Sequence, residues 1–222
     1  MEYTDKEYCL EVWGDIACFT RPELKVERVS YDVITPSAAR AIFEAIYWKP
    51  AIRWQITRIE VINPIRRTSV RRNEVGAVAV KKPIFIEEKR QQKNTLMLKD
   101  VRYRIYARMV FIPVRCREGG TRLPGADENP GKYNAIFERR AALGQCFSQP
   151  YLGTRECAAF FELIENDSQK TEAPIAESRD FGIMLYDLDF SNPKDIRPMF
   201  YHANMENGVI TVPSPDSPLI LR

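Results

Sequence analysis

The chain has 222 residues, of which 45% are hydrophobic and 28% are charged, and its formal net charge is +3. A chain of this composition can bury a full core as one large domain or two small ones, which excludes a disordered tail. No run approaches the roughly 18 apolar residues of a membrane span, and the first residues lack the basic-then-apolar order of a signal peptide. We therefore expect a cytoplasmic protein with no membrane partner.

The positive charge is concentrated in one segment. Residues 49–108, which we call the basic belt, hold sixteen Lys and Arg against five Asp and Glu, whereas the segments before and after it each sum to minus four. Concentrated charge creates a field that attracts polyanions, and nucleic acid is the commonest cellular polyanion at such a surface. The basic belt therefore indicates that the protein binds nucleic acid.

Cysteine and histidine content restricts the possible chemistry. The five cysteines are widely spaced, with no pair at the separation of roughly two to four residues that metal sites use, so we interpret them as reduced, mostly buried thiols. His202 is the single histidine of the sequence. Counting therefore excludes a two-histidine acid/base mechanism and a histidine-rich metal site, and we interpret His202 as a surface or hydrogen-bonded strand residue. The cysteines are Cys9, Cys18, Cys116, Cys146 and Cys157.

The first predicted elements are a strand, an extended piece and a helix. Residues 8–14 are rich in β-formers and end at a Gly-Asp turn, and an extended piece follows around residues 29–34. Thr35-Pro36 is typical of an N-cap followed by proline in the first helical turn. The next residues place apolar side chains at helical spacing on one face until Pro50 ends the helix. These side chains are Ala39, Ile42, Phe43 and Ile46.

Two predicted strands flank a long basic excursion. Residues 52–62 alternate as a half-buried strand, with Trp54 on the core side. Residues 63–98 are polar, basic and interrupted by Pro and Gly, which predicts an excursion with one or two hairpins. Residues 101–114 again have strand character, with Arg102, Arg104 and Arg108 on one face.

The rest of the chain predicts a second helix and several strands. After turns at Gly119-Gly120 and Pro124-Gly125, Asn129-Pro130 offers a second cap and first-turn proline. A second apolar stripe then ends near Gly144; its members are Tyr133, Ile136, Phe137 and Ala141. Strands are predicted at 157–164, 182–190, 199–204 and 209–212, the last two joined by the Asn207-Gly208 hairpin turn.

The element order predicts an α+β fold. Strand, helix, strand, strand, helix, strand over residues 1–150 fits a ferredoxin-like, RRM-like domain, with the basic insertion at about residues 63–98. Residues 151–222 are predicted to form a small antiparallel β-sheet domain.

Eight short blocks then identify a family. Together, in this order, they resemble the CRISPR-associated endoribonuclease of type I-C systems, the Cas five-d subunit of the RAMP superfamily, from about residue 8 to residue 215. The blocks are VWGD (12–15), FTRP (19–22), SYDV (30–33), AIYWKP (45–50), LKDV (98–101), GK (131–132), LGTREC (152–157) and MENG (205–208).

The resemblance implies an activity and a set of partners. Members of this family cut precursor CRISPR RNA once per repeat, beside a stem-loop, without a metal or other cofactor, and stay on the product within the surveillance complex. The implied partners are precursor and mature CRISPR RNA, the backbone and large subunits, and target DNA through the complex. The family's catalytic trio is a tyrosine after the first helix and an adjacent lysine and histidine opening the second. Tyr47 and Lys132 match the first two positions, and Tyr133 stands where the family has histidine.

Metal-free cleavage uses the ribose 2′-OH as nucleophile, so groups must accept its proton, protonate the departing 5′-oxygen and stabilise the phosphorane. Tyrosine and lysine have reference pKa values of about 10 and 10.4, and neighbouring guanidinium groups are expected to lower both. We hypothesise that Lys132 stabilises the phosphorane while Tyr47 and Tyr133 handle protons or position the ribose. Structural alternatives remain: Tyr133 as the first core aromatic of its helix, Tyr47 as a ring covering a helix end, and Lys132 as a solvated lysine.

Cations in and near the belt are predicted to contact the RNA phosphates, and Tyr31 and Trp48 either stack on bases or belong to the core. Two functions stay open, an endoribonuclease and a non-catalytic subunit that binds the 5′ handle of the guide. The occurrence of all eight blocks in order makes an RNA-binding module without a CRISPR role less favoured. The predicted RNA-binding residues are Lys25, Arg28, Lys49, Arg66, Arg67, Arg71, Arg72, Arg108 and Arg155.

Overall fold

The computed structural model of the protein describes residues 6–24, 26–78, 80, 83–112, 129–190, 192 and 194–222. Over these residues the structure has eight strands and three α-helices. The strands are β1 Glu7–Ala17, β2 Ile52–Val61, β3 Arg66–Val75, β4 Arg90–Phe111, β5 Phe160–Ile164, β6 Arg179–Asp189, β7 Arg197–Glu206 and β8 Val209–Thr211. The helices are α1 Pro36–Ile46, α2 Ile86–Lys89 and α3 Pro130–Ala142.

All eight strands belong to one sheet with the order β5-β1-β4-β2-β8-β7-β6, and β3 pairs with β4 beside this path. The pairings between these strands are antiparallel. The predicted mixture of helices with a mainly antiparallel sheet is therefore confirmed. Because β5 pairs with β1 and β8 pairs with β2, the sheet runs across residue 150, and the division into residues 1–150 and 151–222 stays a prediction.

Both long helices begin where the sequence predicts, because each start is determined by a capping residue and a proline that are adjacent in the sequence. The Thr35 side chain accepts a hydrogen bond from the backbone N–H of Ala38, and the Asn129 side chain accepts one from that of Lys132. Each cap is followed by a proline in the first turn, where its missing N–H costs no helical hydrogen bond. Gly144, just past α3, has φ +64°, the left-handed conformation that glycine adopts without strain.

The core lies between the sheet and the two long helices. The Phe137 ring of α3 packs on Tyr8 and Trp54, with ring centroids 4.8 and 4.6 Å apart, and the Phe43 ring of α1 lies 4.9 Å from Trp54. Trp54 is 1% exposed, so its predicted core position is confirmed. Alternation along β4 places Tyr103, Ile105 and Ala107 in this core, and the opposite face of the sheet, which we call the open face, carries the other set of side chains.

The described residues of the basic excursion form one two-stranded arm. β3 pairs with residues 90–99 of β4, from Arg66↔Lys99 to Val75↔Arg90. In the sequence, α2 lies in the segment that connects the two strands. β4 therefore begins at Arg90, eleven residues before the predicted start. The arm is largely solvent-exposed, so its residues need no regular apolar alternation, and the periodicity that identifies a half-buried strand is absent.

Several smaller expectations are also resolved. Cys9, Cys18 and Cys157 are buried and Cys146 is half-buried, all with free thiols. Asn207 and Gly208 have φ of 49° and 77°, as a type I′ hairpin turn requires. Among the described residues, no helix has the length and apolar character to cross a membrane. Lys25, Val114, Cys116 and the two turns predicted between residues 119 and 125 lie outside the described residues.

Candidate active site

Tyr47 occupies the end of α1. Its backbone is extended, with φ −155° and ψ 123°, and its N–H still donates to the Phe43 carbonyl. The Tyr47 carbonyl accepts a hydrogen bond of 2.8 Å from the buried Trp54 indole. Because Pro50 cannot continue a helix, and because these two bonds fix the main chain on both sides, the position of Tyr47 is rigidly defined.

The start of α3 lies beside the end of α1. The Tyr47 and Tyr133 ring centroids are 6.3 Å apart, and Tyr133 also stacks on Phe111 at 6.3 Å. Lys132, the preceding residue, has an exposed side chain in the first turn of α3. The structure thus brings Tyr47 and Tyr133 together at two helix ends, and Lys132 precedes Tyr133 in the chain. Tyr133 is 9% exposed and contributes to the core, as its phase in the apolar stripe suggests.

The electrostatics of Tyr47 contradict one expectation. Tyr47 is 2% exposed, and its hydroxyl has no hydrogen-bond partner among the described residues. Burial raises the pKa of Tyr47, while the nearby charge of Arg140 opposes this effect without reversing it. The predicted lowering of the Tyr47 pKa by guanidinium groups is therefore wrong, because desolvation outweighs the attraction of one cation. At neutral pH Tyr47 is a neutral phenol that can donate a hydrogen bond.

Arg140 connects the two helices at this point. Its guanidinium carbon lies 5.3 Å from the Tyr47 ring centroid, and its Nη1 donates to the Ile46 carbonyl at 3.0 Å. A cation at the C-terminus of a helix interacts favourably with the helix dipole. Arg140 is thus held against Tyr47 by α1 and α3 together.

Tyr47 lines a cleft of about 660 Å³ between the end of α1 and the loop after α3. The cleft combines two cations, Lys49 and Arg140, with three further aromatic side chains. Trp48 is 52% exposed, Phe147 is 84% exposed and Tyr151 is 38% exposed. Trp48 is therefore available for stacking, whereas Tyr31, the other candidate, is buried.

Sequence reasoning missed Arg140, Phe147 and Tyr151. Arg140 carried a usable signal, because it lies seven residues after Tyr133 and so falls on the apolar stripe of α3, where a cation is unexpected. Phe147 and Tyr151 lie in a loop that has no periodic pattern. For these two residues no local signal distinguishes a cleft residue from a core residue.

Several cations of the arm are neutralised by carboxylates. Arg67 forms a salt bridge to Asp32, which also binds Arg179. Arg72 is paired with Glu74 and Glu156. Arg28 lies within 4 Å of both carboxylates, and Lys93 lies 3.4 Å from Glu74. The charge of the belt is therefore lower at the surface than in the sequence.

The arginines of β4 differ according to position. Arg104 is 1% exposed and its Nε donates to Glu11 at 2.8 Å, with Glu60 at 3.6 Å. Arg102 binds Glu11 and Glu172. Arg108, on the same face, is exposed. The predicted row of three guanidinium groups thus exists, but two of the three are ion-paired.

Other predicted RNA contacts remain accessible. Four of these cations are exposed, and none of the four lies within salt-bridge distance of a described carboxylate: Lys49, Arg71, Arg108 and Arg155. Arg66 lies 3.7 Å from Asp100. His202 is exposed on β7, with its Nε2 3.4 Å from Asp180, which confirms its predicted surface position. The described part of the chain contains no group of three or more His, Cys, Asp or Glu side chains arranged to hold a metal ion.

Comparison with known proteins identifies the family. A family model described as CRISPR-associated protein (Cas_Cas5) matches residues 7–213. A protein of Mannheimia succiniciproducens named CRISPR pre-crRNA endoribonuclease Cas5d is 48% identical over 221 residues, which cover 92% of this chain and 93% of the relative. A protein of the same name from Thermus thermophilus is 40% identical, covering 92% and 90%. A crystal structure of a CRISPR-associated protein matches with a TM-score of 0.71 at 26% identity over the full length of both chains. The chain therefore belongs to the Cas5d family of CRISPR-associated proteins.

Proposed function

We propose that this protein is an endoribonuclease that cuts precursor CRISPR RNA within the repeat and keeps the product bound as a subunit of a type I-C surveillance complex. Two relatives at 48% and 40% identity are named as pre-crRNA endoribonucleases, and the match covers nearly the whole chain. Within this proposal the partners are precursor and mature CRISPR RNA, the backbone and large subunits, and target DNA through the assembled complex.

The proposal includes a ferredoxin-like N-terminal domain. Its support is the strand order β5-β1-β4-β2, with α1 between β1 and β2 and α3 between β4 and β5. This is the antiparallel arrangement of two interleaved β-α-β units. In this view the arm is the basic insertion, and β6, β7 and β8 form the small C-terminal β-domain.

The observation that carries the nuclease proposal is the Tyr47 hydroxyl. A buried hydroxyl without a partner costs about 1 to 3 kcal/mol, and such groups often mark functional positions. Tyr47 lines the cleft that holds Lys49 and Arg140, and it lies beside the helix start that bears Lys132. After a local rearrangement that exposes the hydroxyl to the cleft, an RNA phosphate or ribose there would supply the acceptor that the described residues do not.

The proposed reaction is metal-independent attack of the 2′-oxygen on the adjacent phosphorus. The new 2′-oxygen bond forms a cyclic phosphate, the bond to the 5′-oxygen breaks, and the departing oxygen takes up a proton. The neutral Tyr47 phenol donates to the departing oxygen, and Lys132 stabilises the charge of the phosphorane. Tyr133 packs against Tyr47 and positions its ring. Solvent hydroxide accepts the 2′ proton, so the rate should rise with pH.

The RNA is proposed to follow the accessible cations from the arm to the cleft. Phosphate contacts of this kind fix orientation without reading sequence. The ion-paired Arg28, Arg67 and Arg72 belong to the same proposed surface, with weaker contributions because carboxylates already neutralise them. Lys25 stays a predicted RNA contact outside the described residues. The accessible members are Lys49, Arg66, Arg71, Arg108 and Arg155.

A non-catalytic role is the second candidate. Tyr133 replaces the family histidine, and a tyrosine pKa near 10 makes proton transfer at neutral pH slow. The buried Tyr47 hydroxyl also requires local rearrangement before it can reach a substrate. A subunit that only binds the 5′ handle would need neither residue for chemistry.

Cleavage of cognate repeat RNA in EDTA separates the two candidates. We expect one cut per repeat under single-turnover conditions, with a 5′-hydroxyl and a cyclic phosphate at the new ends. Lys132→Ala should lower the rate by about 100-fold, the cost of removing one group that stabilises developing charge. Tyr47→Phe should lower it by about the same factor, the loss expected for one proton donor.

The matched control is Lys194→Ala, which removes an exposed lysine in the segment between β6 and β7 and should leave the rate unchanged. RNA affinity measured in parallel shows whether a slow variant still binds. Wild-type protein that binds the repeat but does not cut it would refute the nuclease and support the handle-binding subunit. A normal rate for Lys132→Ala would refute the assignment of Lys132.

A further inference from the structure

Two large aromatic side chains in the cleft are exposed although their backbones are fixed. Phe147 is 84% exposed, yet its N–H donates to the Ala45 carbonyl of α1 at 2.8 Å, and the N–H of Ser148 donates to the same carbonyl at 3.1 Å. Trp48 is 52% exposed. It is the residue after Tyr47, whose carbonyl accepts a hydrogen bond from the Trp54 indole. An exposed aromatic ring on a fixed backbone presents a preorganised apolar surface to a ligand.

The charges around these rings select an anionic ligand. Lys49 and Arg140 are the cations of the cleft, and neither lies within salt-bridge distance of a described carboxylate. The carboxylate that lines the cleft, Glu44, is engaged by Arg40 on the neighbouring turn of α1 at 2.5 Å. Aromatic faces interleaved with cations that no described carboxylate neutralises are the arrangement by which proteins hold single-stranded nucleic acid.

The size of the cleft fits the same ligand. Its volume of about 660 Å³ lies within the range of roughly 300 to 1,000 Å³ that small-ligand sites occupy, enough for a nucleotide. Stacking needs only a planar base, so it tolerates any repeat sequence.

We propose that this cleft is a base-stacking subsite of the RNA site, in which Trp48 and Phe147 hold the base of the nucleotide next to the scissile phosphate while Lys49 and Arg140 bind its phosphates. The inference deepens the proposed function and rests on it. Trp48 and Phe147 are positioning residues in this scheme, since they fix the strand so that its linkage reaches Tyr47. Splaying one base out of the strand also exposes the flanking ribose to in-line attack.

The test uses the full-length protein and repeat RNA with a 2′-deoxy nucleotide upstream of the cut, so that binding is measured without cleavage. A 2-aminopurine base is placed at each position around the cut, and its quenching reports stacking on an aromatic ring. We expect strong quenching at one flanking position. Trp48→Ala and Phe147→Ala should each abolish that quenching and weaken binding about tenfold, and Trp48→Phe should restore most of both.

The matched control is Trp13→Ala. Trp13 is also partly exposed, at 36%, but it stacks on Phe160 where β1 pairs with β5 and does not line the cleft, so this variant should bind and quench as the wild type does. Thermal unfolding of every variant shows that a loss of binding does not come from a loss of fold.

The outcomes distinguish the subsite from the nuclease. Normal quenching and affinity in Trp48→Ala and Phe147→Ala would overturn the subsite, and continued cleavage would leave the nuclease standing. Trp48-dependent quenching with no cleavage by the wild type would support the subsite and refute the nuclease. Variants that bind RNA normally but lose association with the other complex subunits would show that the cleft docks protein, which also overturns the inference.

Discussion

The open face of the sheet and the cleft at the helix ends both carry cations, but these cations have different surroundings. On the open face, Arg102 and Arg104 are bound by Glu11, with Glu60 and Glu172 completing a network. In the cleft, Lys49 and Arg140 lie beside exposed aromatic rings and outside salt-bridge distance of the described carboxylates. Arg102 and Arg104 thus stabilise the fold through ion pairs, whereas no described carboxylate neutralises the charge of Lys49 and Arg140.

This contrast explains why the charge of a segment does not measure the charge of a surface. The acidic partners of the belt arginines come mostly from outside the belt, for example Asp32 for Arg67 and Glu156 for Arg72. A buried charge is retained only when a partner compensates its desolvation, whereas an exposed one needs none. Excess positive charge in the sequence therefore divides into a structural part and a binding part.

The largest expected effect concerns the structural part. Glu11→Gln removes the charge shared by Arg102 and Arg104, and because Arg104 is 1% exposed, a buried cation remains that only the longer contact to Glu60, at 3.6 Å, compensates among the described residues. We expect the free energy of unfolding to fall by about 3 kcal/mol, measured by urea denaturation. Glu7→Gln, on the same strand but exposed, is the control and should change it by less than about 0.5 kcal/mol. Equal effects of the two changes would show that Glu11 does not compensate a buried charge.

The second prediction compares two neighbouring arginines of the arm. Arg71 is exposed and its side chain is 3.5 Å from the Asn94 amide oxygen, whereas Arg72 is bound by Glu74 and Glu156. Arg71→Ala should reduce the slope of log affinity against log salt by about 0.7, the value for one lost phosphate contact on a single strand. Arg72→Ala should change the slope much less. Binding titrations at several salt concentrations decide this, and a larger effect of Arg72→Ala would contradict the assignment.

The smallest effect concerns pH, and it extends the contrast to tyrosines. Burial raises the pKa of Cys9 to about 11 and those of Tyr106 and Tyr186 to about 12. These groups are neutral acids in the folded protein, and in the unfolded chain they lose their protons near pH 9 to 10. The folded state then holds more protons, so stability should fall as pH rises from about 9 towards 12.

Unfolding titrations at pH 7, 9, 10 and 11 measure this decline, and tyrosinate absorbance reports the ionisation directly. The shift for Tyr47 has the same direction, so its phenol stays protonated throughout the range in which cleavage is assayed. Cleavage should therefore rise with pH without a loss caused by Tyr47 below about pH 10. A downturn near pH 8 that disappears in Tyr47→Phe would show that the pKa is lowered instead.

The helix starts, the strand alternation and the tight turn were all predictable from sequence, because each depends on residues a few positions apart. Thr35-Pro36 and Asn129-Pro130 define the starts of α1 and α3, and Asn207-Gly208 defines the turn between β7 and β8. The family blocks likewise pointed to Tyr47, Lys132 and Tyr133, which the structure places at adjoining helix ends. The catalytic roles of these residues stay a prediction.

Only the tertiary structure decided which charges are free and which groups are desolvated. Asp32, which pairs with Arg67, and Glu156, which pairs with Arg72, are 35 and 84 residues away from them in the sequence. The cleft is assembled from the end of one helix and a loop after another. Burial of Tyr47, which reverses the expected direction of its pKa, results from packing against Tyr133 and Arg140 of α3. Local sequence determines the conformation of each segment, but dielectric environment and charge pairing depend on contacts between distant segments, and those exist only in the folded chain.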